Sequence, residues 1–171
     1  MLKRLAQENG LDIGGILGVA GDVFSMEVGS TIGVLFGSAL TEAGRAMGGK
    51  KTLDTEGFAT VLKEILAGVK AVGGASAGDK TLIDALEPAA KAALVAAQQK
   101  MGIAQALVEA ATAAEAGSSS TVDMVAKVGR SSYLGERSRG HVDPGAAFIA
   151  FFLRSMSSSI EPSPDGTGVS G

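Results

Sequence analysis

Apolar residues recur at steps of three and four over most of this chain, and this spacing is typical of α-helices that bury one face. The clearest case is the segment from Asp54 to Val72, whose apolar stripe consists of Phe58, Val61, Leu62, Ile65, Leu66 and Val69. Asp54 or Thr55 can cap the start of this helix, and Gly73-Gly74 can end it. No segment alternates apolar and polar residues over a useful length, so the spacing predicts an all-α fold.

The same pattern predicts further helices on both sides of this one. They cover residues 23–47, 81–100, 103–116, 124–128 and 144–156, with a weaker segment over 2–19, which makes six or seven helices in all. We expect one domain over residues 1–156. Residues 157–171 hold Ser, Pro and Gly with almost no apolar content, so they are expected to form a disordered tail.

The composition favours closely packed helices and excludes several classes of function. Hydrophobic residues make up 46% of the chain and aromatic residues only 4%, with 25 glycines, so helices can approach closely. The net charge of −3 and the scattered Lys and Arg residues argue against a nucleic-acid partner. The absence of Cys removes disulfides, thiolate metal sites and Cys nucleophiles, and it fits a cytoplasmic protein. No secretory signal or membrane span is expected, because the apolar run Ala146 to Leu153 is too short to cross a bilayer.

Glycine and proline interrupt two of the predicted helices. Gly29, Gly33 and Gly37 punctuate the helix over 23–47, which indicates either close backbone packing or a break used for binding. Pro88 lies inside the helix over 81–100, where we expect a kink or a local break.

Two loops carry residues suited to binding an anion. Residues 73–81 are rich in glycine and directly precede a helix, whose free N–H groups attract anions, although a plain linker has the same composition. Residues 128–145 combine three Arg with the only His and the only Tyr of the chain. Clustered Arg beside a helix start is what a phosphate-bearing ligand needs. A solvated loop in which Arg137 pairs with Glu136 is an equal alternative from these residues alone.

Three segments resemble signatures of dihydroxyacetone kinase L subunits. Residues 78–88 resemble "GDKTM-x-D-x-x-x-P", residues 129–145 resemble "GRASYLGERS-x-GH-x-DPGA" almost throughout, and residues 28–37 are more faintly similar to "VGGASGPLFG". The resemblance covers roughly residues 12–156. It implies an all-α, antiparallel helical barrel or bundle that binds ADP or ATP at one end.

The resemblance also implies which residues contact the nucleotide. Backbone N–H groups in the segment over residues 28–37 hold the phosphates, and Gly73 and Leu82 lie against the base. Arg130 reaches the nucleotide, and the turn before the last helix lines the ribose or base. The implied nucleotide-binding residues are Thr31, Ile32, Gly73, Leu82, Arg130, Asp143, Pro144 and Gly145. Ile32 departs from the family pattern, and its bulk is expected to crowd the phosphate.

Other polar residues of these segments are assigned structural roles, and no catalytic residue is assigned. Asp79 and Asp84 are expected to fix helix ends or to pair with a neighbouring base. His141 is expected to tie its loop together through a hydrogen bond, because the covalent histidine of this enzyme class belongs to the partner K subunit. Tyr133 is expected to pack within its loop.

Magnesium is the cofactor for which the chain carries no matching ligands. Family members open with a "D-x-x-x-x-D-x-D-H-G-x-N" loop whose Asp residues bind Mg²⁺, and the acidic residues before residue 54 are not grouped. Mg²⁺ in phosphoryl-transfer sites is held by carboxylates and substrate phosphates. We therefore expect weak Mg-dependent nucleotide binding and no metal-ligating residue.

These features leave three functional hypotheses. The first is the nucleotide-binding subunit of a dihydroxyacetone, triose or tetrose kinase, working with a substrate-binding K subunit and in one family branch with a phosphocarrier protein. The second is a non-catalytic or truncated relative with a regulatory or binding role. The third is a binder of apolar ligands, because a helical barrel can enclose a cavity. Self-association is a further hypothesis, since a barrel lacking an edge helix exposes apolar surface.

Overall fold

The computed structural model describes residues 10–160, and within that range every regular element is helical. Six α-helices follow one another: α1 Ile13–Glu27, α2 Thr31–Ala46, α3 Thr55–Gly73, α4 Ile83–Gln98, α5 Ile103–Ser120 and α6 Pro144–Ser159. Two 3₁₀ segments, Thr121–Asp123 and Arg130–Ser138, lie between α5 and α6. The predicted all-α class is confirmed.

The helices run up and down, and each packs on the next along the chain, while α4 also packs on α6. Four phenylalanines join the first two helices to the last: Phe24 on α1, Phe36 on α2, and Phe148 and Phe152 on α6. The Phe36 and Phe148 ring centroids are 5.4 Å apart with nearly perpendicular planes, and those of Phe24 and Phe148 are 5.7 Å apart. The Phe36–Phe148 pair is edge-to-face, an arrangement that is favourable beyond its buried area. This cluster completes the antiparallel helical barrel.

Small side chains form much of the core. Ala85 and Ala93 of α4 are fully buried, as are Ala106, Ala110 and Ala114 of α5. Alanine stripes allow two helix backbones to approach closely, as the composition predicted. No helix in the described part of the chain is long and apolar enough to cross a membrane.

The predicted helix over 23–47 is in fact two helices. The chain leaves the helical conformation between α1 and α2, where Ser30 is extended and its hydroxyl accepts a hydrogen bond from Gly33 N at 3.4 Å. Serine at such a position stabilises a new helix start. Gly37 serves close packing instead, because a Cβ there would lie 2.7 Å from the Gly21 carbonyl oxygen on α1. Close packing is therefore confirmed at Gly37, and a break is present at residues 28–30, while its use for binding stays a prediction.

The later helices differ from their predicted bounds. Helix α5 continues past Gly117 to Ser120, and residues 124–127 form no helix. Helix α4 runs through Pro88 without a break, and the Asp84 carbonyl that Pro88 leaves without its usual helical donor faces Gly117 of α5. Helix α6 reaches Ser159, so the first residues of the predicted tail are helical, and residues 161–171 lie outside the described range, as do residues 1–9.

Candidate functional site

The up-and-down order brings one terminus of every helix to one end of the barrel. Counting both sides of each connection, six helix ends lie there: the starts of α2, α4 and α6 and the ends of α1, α3 and α5. The connections over 28–30, 74–82 and 121–143 therefore share this end, while those over 47–54 and 99–102 lie at the other. The three segments that suggested a ligand site are on the same side of the molecule.

Three of the predicted residues meet at a single point. A Cβ placed on Gly145, in the first turn of α6, would lie 3.1 Å from Ile32 Cδ1 and 3.1 Å from Leu82 Cβ. Leu82 is 7% exposed, Gly145 is buried and Ile32 is half-buried. Gly73 is near the same helix as Ile32, because a Cβ there would lie 3.7 Å from a methyl carbon of Leu35 in α2.

The start of α2 presents unpaired amides. Within the described residues, the backbone N–H groups of Thr31 and Ile32 have no protein acceptor, whereas the next amide, Gly33 N, donates to the Ser30 hydroxyl. Thr31 is exposed. Free N–H groups at a helix N-terminus carry partial positive charge and bind anions.

Asp143 and Pro144 form the start of α6. One Asp143 carboxylate oxygen accepts a hydrogen bond from Ala146 N at 2.8 Å, and Pro144 is the first helical residue. Burial raises the pKa of the Asp143 carboxyl, although hydrogen bonds from Ala146 and Gly145 oppose that rise, as does the charge of Lys80. Asp143 therefore serves first as a helix cap.

Arg130 opens the exposed 3₁₀ segment after Gly129, whose φ of +68° favours glycine. Its side chain is exposed, and no hydrogen bond or ion pair holds it within the described residues. Lys127 N donates to the Asp79 carbonyl at 3.2 Å, which places the chain just before Arg130 beside the loop over 74–82. The alternative in which Arg137 pairs with Glu136 is not found, because Glu136 pairs with Arg139 at 3.2 Å.

Two carboxylates hold the loop over 74–82. Asp84 accepts from Gly78 N at 2.5 Å and from Thr81 N at 2.8 Å. Asp79 accepts from Ser76 N at 2.8 Å and pairs with Lys127 at 3.3 Å, and these contacts hold its pKa below the ordinary value, the Ser76 N–H foremost. The structural role predicted for both residues is confirmed.

Lys80 is the polar residue of this end that sequence reasoning missed. It is only 4% exposed and has a φ of +61°, a conformation uncommon for a residue with a side chain. Its ammonium donates to the carbonyl oxygens of Thr121 at 2.5 Å and His141 at 2.6 Å. Because a lysine between Asp and Thr is ordinarily solvated, no sequence signal marks it as buried.

Two residues of the second loop differ in detail from their predictions. His141 does tie the loop, but through its backbone carbonyl, while the residue itself is exposed. Tyr133 is 88% exposed, so the prediction that it packs within the loop is wrong. The packed residue is Ser138, whose hydroxyl accepts from Ala126 N at 2.9 Å and donates to the Gly135 carbonyl at 2.6 Å.

Comparison with known proteins identifies relatives over most of the chain. The ADP-binding subunit DhaL of the PEP-dependent dihydroxyacetone kinase of Escherichia coli is 36% identical over 145 residues, which cover 85% of this chain and 69% of that subunit. The L-erythrulose 1-kinase of Mycolicibacterium smegmatis is 35% identical over 81% of this chain and 24% of that enzyme. The crystal structure of the C. freundii dihydroxyacetone kinase in complex with AMP-PNP and Mg²⁺ matches with a TM-score of 0.58 and 28% identity over 87% of this chain.

This chain spans 24% of that solved kinase, so it corresponds to one part of the larger enzymes. The DAK2 domain matches residues 1–158, which is nearly the whole sequence. The chain therefore belongs to the DAK2 domain family.

Proposed function

We propose that this chain is the nucleotide-binding subunit of a dihydroxyacetone kinase or a related triose or tetrose kinase. The observation that carries the proposal is the meeting of Ile32, Leu82 and Gly145 beside the free amides at the start of α2. A nucleotide needs an apolar surface for its base and N–H donors for its phosphates, and this end of the barrel offers both. ADP or ATP is the expected guest.

Each predicted residue then has a distinct task. The amides of Thr31 and Ile32 donate to phosphate oxygens, and the free guanidinium of Arg130 adds a charged donor. Leu82 and Gly73 pack against the base. Asp143, Pro144 and Gly145 shape the wall beside the ribose. ATP supplies its γ-phosphoryl group and leaves ADP, or bound ADP is first rephosphorylated by a phosphocarrier protein, while a substrate-binding K-type subunit holds the sugar.

The described residues fit the nucleotide better than they fit a magnesium cage. They contain no group of three or more His, Asp or Glu side chains that could hold a metal ion. Asp79, Asp84 and Asp143 are each occupied by backbone N–H groups. We therefore assign no step to Mg²⁺ here, and we expect this chain alone to bind Mg-ADP or Mg-ATP weakly.

Calorimetric titration with ADP, with and without Mg²⁺, tests the proposal. Arg130→Ala should weaken ADP binding about tenfold or more, the usual effect of losing a charged hydrogen-bond donor. Arg45→Ala is the matched control, because Arg45 lies at the opposite end of the barrel and pairs with Glu42. Equal affinities of both variants would count against the assignment of Arg130.

A regulatory or binding subunit that has lost Mg-nucleotide binding is the second candidate, favoured by the lack of a metal-binding cluster of carboxylates among the described residues. Phosphoryl transfer to dihydroxyacetone, assayed with an added K-type subunit and either ATP or a phosphocarrier protein, separates the two. Transfer supports the kinase subunit, while partner binding without transfer supports the regulatory one. In either case we propose that the protein acts in the cytoplasm.

A further inference from the structure

Lys80 is buried and has a positive φ, and both features are unfavourable for the free energy of folding. A role of this residue in the structure would explain why they are kept. A buried lysine is normally paired with a carboxylate, but within the described residues Lys80 forms no ion pair and donates only to two carbonyls. Its φ of +61° is disfavoured for any residue with a Cβ. Strained residues persist where the surrounding structure determines them, often at binding sites.

We propose that Lys80 is a positioning residue that fixes the 121–143 connection relative to the start of α4, so that both sides of the nucleotide site keep their spacing. This inference rests on the proposed function. It concerns how the site is held together, and Lys80 itself contacts no nucleotide in this account.

The contacts of Lys80 reach both ends of that connection. Thr121 is its first residue, and His141 lies two residues before Asp143. The Thr121 hydroxyl also accepts from Asp143 N at 2.9 Å, so Thr121 is bound to Lys80 through its carbonyl and to Asp143 through its side chain. Lys80 itself lies two residues before Leu82. One ammonium group therefore links the residues that precede Leu82 on one side and Gly145 on the other.

Hydrogen bonding and charge together explain why an apolar residue of the same length cannot replace Lys80. Methionine supplies no donor, so the His141 carbonyl would lose its one donor among the described residues, while the Thr121 carbonyl would keep only Met124 N at 3.2 Å. The positive charge also favours the ionised form of the half-buried Asp143 carboxylate, which caps α6. We expect Lys80→Met to release the connection while the rest of the barrel stays folded.

Native-state cleavage by an arginine-specific protease tests the link directly. Arg130, Arg137 and Arg139 are exposed cleavage sites within the connection, and a substitution of Lys80 leaves them unchanged. We expect Lys80→Met to be cut there about tenfold faster or more, by local opening. Leu107→Ala, which weakens the buried side of α5, is the control for global unfolding. At matched unfolding stability, equal cleavage of the two variants would overturn the proposal.

Affinity and chemical rescue complete the test. The chain has no Cys, so Lys80→Cys can be alkylated at that position alone with 2-bromoethylamine in denaturant and then refolded. The lysine analogue so formed should restore both cleavage resistance and ADP affinity, while iodoacetamide treatment should restore neither. If the native chain binds ADP, one result would overturn the positioning role. In that result the lysine analogue restores cleavage resistance, but every variant binds ADP with the same affinity. A native chain without ADP affinity would overturn the proposed function, and the cleavage result would still decide whether Lys80 holds the connection.

Discussion

At Gly145 a single added methyl group would meet three neighbours at once. Its carbon would lie 3.0 Å from an Asp143 carboxylate oxygen and 3.1 Å from both Ile32 Cδ1 and Leu82 Cβ. These distances are shorter than ordinary van der Waals contact, so at least one neighbour must move. The residue that closes the site therefore leaves little room for any side chain.

Gly145→Ala should lower the free energy of unfolding by about 1–3 kcal/mol, the usual effect of overpacking. Gly18→Ala in α1 is the matched control, because a Cβ there meets nothing within 4 Å. That control should raise stability by about 0.5–1 kcal/mol, because alanine favours the helix. Urea denaturation measures both changes in unfolding free energy, provided that the dependence on urea concentration keeps the same slope. If both substitutions stabilised the protein, the close packing at Gly145 would be wrong.

Asp84 offers a second test at the residue scale. Asp84→Asn turns one acceptor into a donor, so either Gly78 N or Thr81 N loses its partner, which should cost about 1–3 kcal/mol. Hydrogen exchange at these two amides should accelerate relative to the rest of the protein. Asp22→Asn, at an exposed position of α1, should leave both rates unchanged.

Residue type predicted some of these roles and concealed others. Asp near a helix start often accepts from neighbouring backbone N–H groups, so the tasks of Asp79 and Asp84 could be anticipated. Lys80 could not, because burial of a lysine depends on two carbonyls that are distant in sequence. The prediction for Tyr133 was wrong in the opposite sense. An aromatic residue suggests burial, but this side chain is 88% exposed.

At the scale of elements, helix existence followed from periodicity and helix limits did not. The apolar stripe of α3 and the cap at Asp54 predicted that helix almost to the residue. The break between α1 and α2 was predicted only as one of two alternatives, because apolar and small residues continue across it and Ser30 alone caps the new start. The predicted end of α5 before Gly117 is wrong, because Gly117 lies inside the helix and packs against α4.

Gly117→Ala tests that contact between helices. A Cβ there would lie 2.2 Å from the Asp84 carbonyl oxygen and 2.9 Å from Pro88 Cγ, so α4 and α5 must separate. We expect a loss of about 3 kcal/mol, at the upper end for overpacking. Ser119→Ala, at an exposed position of the same helix, should change stability little. If the two variants melted at the same temperature, the close approach of α4 and α5 at this point would be wrong.

For the whole molecule, ion pairs between helices contribute to the response to acid. Glu87 of α4 accepts from Lys70 of α3 and pairs with Lys91, and these contacts, Lys70 foremost, hold its pKa below the ordinary value of 4.5. The Arg154 guanidinium of α6 does the same for Glu115 of α5. Such groups stabilise the fold above their unfolded pKa and lose that contribution as the pH falls through the folded value. Asp143, whose pKa is raised, acts in the opposite direction.

The melting temperature should therefore be steady near neutral pH and should fall as the pH drops below the ordinary glutamate value of 4.5. Glu87→Gln should melt lower than the native protein at neutral pH and should lose less on acidification. Thermal denaturation followed by circular dichroism between neutral and acidic pH measures both slopes. A variant as sensitive to acid as the native protein would show that Glu87 does not contribute to this response.

The exposure of Tyr133 has a practical consequence. The chain has one Tyr and no Trp, so its intrinsic fluorescence comes almost entirely from this ring. The ring lies on the 3₁₀ segment that Arg130 opens. Emission intensity therefore serves as a built-in optical reporter of that segment, and a change in quenching on adding a ligand can be assigned to one place without attaching a dye.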